Sequence, residues 1–369
     1  MNWAIFHTES ERLAIDAYRK SRAQNIAEAN VLYSQAAEAE QRALGCLDVS
    51  KIRTRGITAV SAVALWFKAT EYAYAEQLAH AMLADAHIPD FAREDLRNLI
   101  HAIWTESAKQ KAGVTFVPGQ VLVSVKGGEV VTGGAPLDLI VEKVQTIQAM
   151  FYRTIEYLNG TVHRRIGPPS KQLQEACRPW LFQSAPGSYQ FSVAIQKPKQ
   201  LDFFKQEIKP ERVAEHFLEI VRASSNEDDS QLKTLVPDEI YRTTFLKLAR
   251  NLAPTGRSFE RIELRASGES RPIGLDVESR ANINKQLREK FVVVVGDSLT
   301  EEVLMGTLRE VHLDKDWLEI AVDGTFLHVE GLKDAIDDVI GPMINRSVSV
   351  RVLRESPKKF KFVDIELAD

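Results

Sequence analysis

Two cysteines in 369 residues, Cys46 and Cys177, are too few for a disulfide framework, so stability has to come from burial and a reducing compartment is expected. Long apolar runs are missing too. The most apolar stretch, Ala59 to Phe67, is broken by Ser61 and followed by Lys68, far short of the ~18 residues of a membrane span. The opening residues turn polar by His7-Thr8-Glu9 and lack the basic and apolar regions of a secretion signal, so the expected location is cytoplasmic, with no membrane partner. Neither sign of charge dominates: 47 Lys plus Arg face 51 Asp plus Glu. That balance excludes both a basic nucleic-acid coat along the whole chain and a polyacidic tail.

Catalytic and metal motifs are also lacking. The eight histidines are scattered, none in His-Glu-x-x-His and none beside Cys-x-x-Cys, so no metal site is expected. Gly127-Gly128 and Gly133-Gly134 precede Pro136 and a helical pattern, but neither a P-loop nor a dinucleotide fingerprint accompanies them; they read as turn and helix-entry glycines. Val292 to Leu299 resembles the opening block of GDSL-type esterases, with Ser298 at the nucleophile position. In that family an Asp-x-x-His pair completes the site. Here the later histidines, His312 and His328, follow Arg309 and Thr325 at that spacing, and the block reads as a buried strand and a turn. No catalytic residue and no cofactor are expected, and the chain is read as non-enzymatic.

What is present is organised in three parts, a multidomain α+β chain with boundaries at 1–112, 113–299 and 300–369. From Ser10 to Ser107 the composition is rich in Ala, Leu, Glu, Gln and Arg with a single proline, Pro89, which predicts helices joined by short turns. Ala39-Glu40-Gln41-x-Ala43-x-x-x-Leu47 recurs 36 residues later as Ala75-Glu76-Gln77-x-Ala79-x-x-x-Leu83. Small residues at i and i+4 let a neighbouring helix approach closely. With Trp66, Tyr72, Ala75 and Pro89, this segment resembles a tetratricopeptide-type repeat; an ordinary helical bundle is the alternative. The resemblance implies stacked helix pairs that hold a protein or peptide partner, with Arg42, Tyr72, Tyr74 and Gln77 as the partner-binding residues.

Residues 113–299 mix strand and helix patterns without regular alternation, predicting an α+β domain. Its signals are a hairpin from Val121 through Gly127-Gly128 to Val131, a long amphipathic helix from Leu137 to Leu158, and a strand from Tyr189 to Ile195. Residues 300–369 read as three strands, a helix and two strands, the order of a small OB-like β-barrel. The middle part carries 25 basic and 22 acidic side chains, the last part 9 and 15. A second function class, a nucleic-acid-associated regulatory subunit of a prokaryotic multi-protein system, therefore places its contacts in the middle part, at Arg164, Arg165, Lys197 and Lys199.

Overall fold

A computed structural model describes the chain apart from residues 1–2, 117–118, 132, 184–188, 198–211, 267–270, 292–299, 334, 357–358 and 369. The architecture is mixed α+β, helical at the N-terminal end and β-rich at the C-terminal end. By contacts the chain divides into unit 1, Met1–Thr115 with Phe182–Pro186, and unit 2, Phe116–Leu181 with Gly187–Asp369.

Unit 1 is a stack of helices: α1 (Trp3–Arg22), α2 (Ile26–Gly45), α3 (Ile52–Lys68), α4 (Tyr72–Ala84) and α5 (Asp90–Lys111). Each packs on the next, and α3 also packs on α5. The repeated positions explain the closeness of the stack. Ala39, Ala43, Ala75 and Ala79 are all buried, while Leu47 and Leu83 pack at the edge of the same core. Gly56 serves the same purpose between α3 and α5. A Cβ there would lie 2.7 Å from Pro89 Cγ and 3.0 Å from Ala92 Cβ, so only glycine permits this approach without displacement. Polar groups close the turns: Arg93 donates to the carbonyl oxygens of Leu83, Asp85 and Ile88, and Arg55 holds Asp85 at 2.8 Å.

A five-stranded sheet has the order β2-β3-β1-β4-β5, formed by β1 (Val121–Lys126), β2 (Pro179–Gln183), β3 (Tyr189–Ile195), β4 (Arg261–Ala266) and β5 (Ile273–Leu275); all of it except the last two residues of β2 belongs to unit 2, whose core it helps to form. The helices of unit 2 are α6 (Leu137–Leu158), α7 (Lys171–Ala176), α8 (Val213–Ser225), α9 (Ser230–Leu235), α10 (Glu239–Leu252) and α11 (Val277–Phe291). The α6 helix matches its predicted span, because its apolar stripe, its Pro136 entry and its Asn159-Gly160 exit all agree. The predicted hairpin is not formed. Strand β1 is flanked on both edges by antiparallel partners from far along the chain, β3 and β4, leaving no edge for Val130 and Val131. Instead the Gly127-Gly128 turn lies against β4's approach: a Cβ on Gly128 would meet the Ser258 carbonyl oxygen at 2.5 Å, and Glu129 N–H donates to that oxygen. The α11 helix, absent from the sequence reading, has few apolar residues and buries only the Ile283 and Leu287 side chains of that class among the described residues.

The C-terminal strands close on themselves. β6 (Thr300–His312), β7 (Trp317–Val322), β8 (Thr325–Glu330), β9 (Ser347–Ser356) and β10 (Lys359–Leu367) form a ring in the order β6-β7-β8-β10-β9, and β9 returns to β6. All pairs are antiparallel except β8 with β10. A short helix, α12 (Asp337–Ile340), connects β8 to β9. Alternation fills the interior with Leu308, Leu318, Ile320, Val329, Val348, Val350 and Val352, and these join one continuous core with the sheet and helices of unit 2.

Candidate interaction surfaces

The four residues expected to meet a partner in unit 1 separate into two kinds. Tyr74 and Gln77, three apart on α4, share an exposed face, and Arg42 is exposed on α2. Tyr74 stacks on Trp66 with ring centroids 5.1 Å apart, while Trp66 Nε1 donates to Gln41 Oε1 at 3.1 Å. This fixes an aromatic pair against Gln41 of α2. Tyr72 is turned inward: it is half-buried, tilts against Phe67 at 5.7 Å, and burial followed by the nearby Glu106 charge raises its phenol pKa.

A second surface in unit 1 was not picked out by sequence reasoning. Ile52, Arg53 and Ile57 of α3, with Pro89 and Phe91 at the start of α5, line an apolar groove of about 400 Å³. Ile52 is 47%, Ile57 48% and Phe91 44% exposed. The groove follows from Gly56, which brings Pro89 against α3 and leaves the flanking isoleucines open. The available signal was this glycine inside a helix, where it costs about 1 kcal/mol relative to alanine and so marks a close approach.

In unit 2 two of the four basic residues named for nucleic-acid contact, Arg164 and Arg165, face carboxylates of the same unit. Arg164 donates to Glu156 Oε1 at 3.1 Å, to Asp338 Oδ2 at 2.9 Å and to the Gly167 carbonyl oxygen. Arg165 donates to Asp316 Oδ1 at 3.1 Å and to the Leu332 carbonyl oxygen at 2.8 Å. These bonds fasten the segment after α6 to the strand ring. Lys197 is half-buried beyond β3, and Lys199 lies outside the described residues, as does Ser298. His163 sits edge-on to Tyr241 at 4.9 Å and shares a 2.8 Å hydrogen bond with Thr244 Oγ1. Burial first, then the Arg153 charge, pulls its pKa down to about 4, so the imidazole is neutral at pH 7.

On the ring, the outer face of β7 and β8 carries aromatic groups. Trp317 lies 4.9 Å from His328 and 5.7 Å from His312, and Phe326 is exposed. Glutamates interleave with them: Glu319 is opposite His328, Glu330 opposite Trp317, and Glu310 opposite Glu319. Stacking on such a face is open to bases, but three carboxylates repel phosphates. Among the described residues no group of three or more His, Cys, Asp or Glu is placed to hold a metal ion, and no helix is long and apolar enough to cross a membrane. Comparison with protein-family models, curated proteins and solved structures returns no match for this chain.

Proposed function

We propose that this protein is a non-enzymatic interaction scaffold of the cytoplasm, in which unit 1 acts as a tetratricopeptide-like module that holds a peptide or helix of another protein. The observation that carries the reading is the open apolar groove of Ile52, Ile57, Pro89 and Phe91, on a helical stack whose own core is already filled. Exposed apolar residues gathered in one groove mark interaction sites more often than singly scattered ones do. The exposed Tyr74, Gln77 and Arg42 are kept as a second candidate contact area on unit 1. The test is affinity capture of the full chain from its native cells, compared with Ile57→Glu/Phe91→Glu and with Arg42→Ala/Tyr74→Ala. The expected result is a nuclease-resistant protein partner lost in the first variant and weakened in the second, with unfolding midpoints unchanged. Retention of every partner by both variants overturns the reading.

A second reading, a nucleic-acid-associated regulatory subunit, rests on the ring. Its strand order and the parallel β8 and β10 pair support reading it as an OB-like barrel, whose β7 and β8 face would carry the stacking groups. The acidic residues on that face and the ion pairs of Arg164 and Arg165 weigh against it. Salt separates the two readings, since phosphate-driven binding weakens steeply with ionic strength and an apolar groove does not. Nucleic acid in the capture that is released by salt would favour this second reading.

A further inference from the structure

Leu318, Ile320 and Val329 are fully buried inside the strand ring, so the residues alternating with them on β7 and β8 point outward. The register sorts this outer face, with the adjoining part of β6, into three rows. In the first, Trp317 lies between His312 and Glu330; in the second, Glu319 lies between Glu310 and His328; in the third, Phe326 faces Ala321. Rings and carboxylates are thereby interleaved. Trp317 packs diagonally on His328, and Lys315 N–H donates to His312 Nδ1 at 3.1 Å, which ties the first two rows together. Phe326 is 63% exposed, and the methyl of Ala321 is too small to cover its ring.

Little of the molecule's own positive charge answers these carboxylates. Glu310 is exposed and has no ion-pair partner among the described residues, and Glu319 has only the His328 ring, at 3.8 Å. Glu330 is opposite Lys361 of β10, so that offset sits at one edge of the face. Residues 300–369 together hold 9 basic and 15 acidic side chains. A phosphate is repelled from such a face, and a purely apolar partner would strand Glu310 and Glu319 away from water. A guanidinium suits both components, because its flat face stacks on a ring while its N–H edge donates to a carboxylate; an ammonium has no flat face to stack. The rows are two residues apart, about 7 Å, which is also the spacing of alternate side chains in an extended peptide.

We infer that the outer face of β7 and β8 docks an extended, arginine-rich segment of another protein. One guanidinium sits between the third and second rows, on Phe326 and Glu319; the next, two residues along the segment, sits between the second and first, on Trp317 and Glu310. Such docking needs nothing from the groove of unit 1. The experiment is an NMR titration of the full chain at about 150 mM salt, where long-range attraction is screened. The probes are an octapeptide alternating arginine and alanine, its lysine and glutamate counterparts, and a single-stranded oligonucleotide. The Trp317 indole N–H, assigned with Trp317→Phe, is the reporter, and Trp3, Trp66, Trp104 and Trp180 are the controls. The expected result is a saturable shift of the Trp317 signal by the arginine peptide, with a Kd of about 1 mM or tighter. The lysine peptide should bind about two- to fivefold more weakly, and the glutamate peptide should leave the signal in place. Phe326→Ser and Glu319→Gln should each weaken the arginine peptide about two- to fivefold, with unfolding midpoints unchanged because both side chains reach solvent. A Trp317 signal unmoved at about 5 mM arginine peptide overturns the inference. So does a lysine peptide that binds as tightly, an affinity unchanged in the double variant, or a stronger response to the oligonucleotide, which would give this face to the nucleic-acid reading.

Discussion

The two units bury charge very differently. In unit 1, Glu40 is the one ionisable side chain among the described residues that is fully buried, met by His7 Nδ1 at 3.0 Å, and the core is mostly alanine, leucine and isoleucine, with Val63, Trp66 and Tyr33. In unit 2, Lys143, Arg153, Glu156, Lys247, Arg250 and Asp364 are all buried among aromatic and aliphatic side chains. Arg250, fully buried, donates to both oxygens of Asp364 and to the Ile365 carbonyl oxygen, fixing α10 to β10. Burial alone would push the Asp364 carboxyl pKa up; the charge and hydrogen bond of Arg250 outweigh it and hold the pKa below the usual range. A stack of similar helices needs only close approach, which small residues supply. A strand ring joined to a helical layer has to be fixed in one position, and directional charge-assisted bonds do that where apolar contact would tolerate sliding.

The sharpest test of this contrast removes one partner of the buried pair. Arg250→Leu should destabilise unit 2 by about 3–5 kcal/mol in urea unfolding, because the buried Asp364 keeps only the longer 3.3 Å bond from Arg351; a loss below about 1 kcal/mol would break the comparison. The matching change in unit 1 is steric. Gly56→Leu forces a side chain into Pro89 and Ala92, and overpacking of this kind costs about 1–3 kcal/mol. Wild-type behaviour of that variant would show that α3 and α5 do not depend on close approach.

A smaller effect should appear in the pH dependence. The folded pKa of His163, about 4, lies below the ordinary value of 6.5. Between these values the unfolded chain binds the extra proton, so the stability owed to the neutral imidazole is complete above about pH 6.5 and is lost as pH falls toward 4. Unfolding midpoints measured across that window should fall more steeply for the wild type than for His163→Gln; parallel curves would remove His163 from the account. The mildest probe is chemical. Burial pushes the Cys177 thiol up to about 12, whereas Cys46 is only half-buried, so an alkylating reagent should label Cys46 first and Cys177 only on unfolding.

How far each region could be read ahead follows the same division. The helices of unit 1 and the long α6 were legible because apolar spacing, helix formers and terminators agree within a short stretch. The ring strands were legible through their alternation and their Asp-Gly and Asp-Lys-Asp turns. The hairpin failed because the pairing of β1 was decided by β3 and β4, some 70 and 140 residues away. Helix α11 escaped because a helix that buries few apolar side chains gives little periodicity. Among the candidate partner residues, Tyr74, Gln77 and Arg42 are exposed as a partner site requires, while Tyr72 is packed inward and the groove at Ile52, Ile57 and Phe91 was invisible until Gly56 met Pro89.

By itself the sequence determined the local grammar: where helices start and stop, which strands alternate, the helical texture of the first third, and the absence of a complete catalytic or metal motif. These depend on residues a few positions apart. Tertiary structure alone decided which carboxylates face Arg164, Arg165 and Arg250, which strands close the ring, and where an apolar groove opens. Those outcomes depend on side chains brought together from distant parts of the chain, and the free energy that selects among them exists only once the partners are in contact.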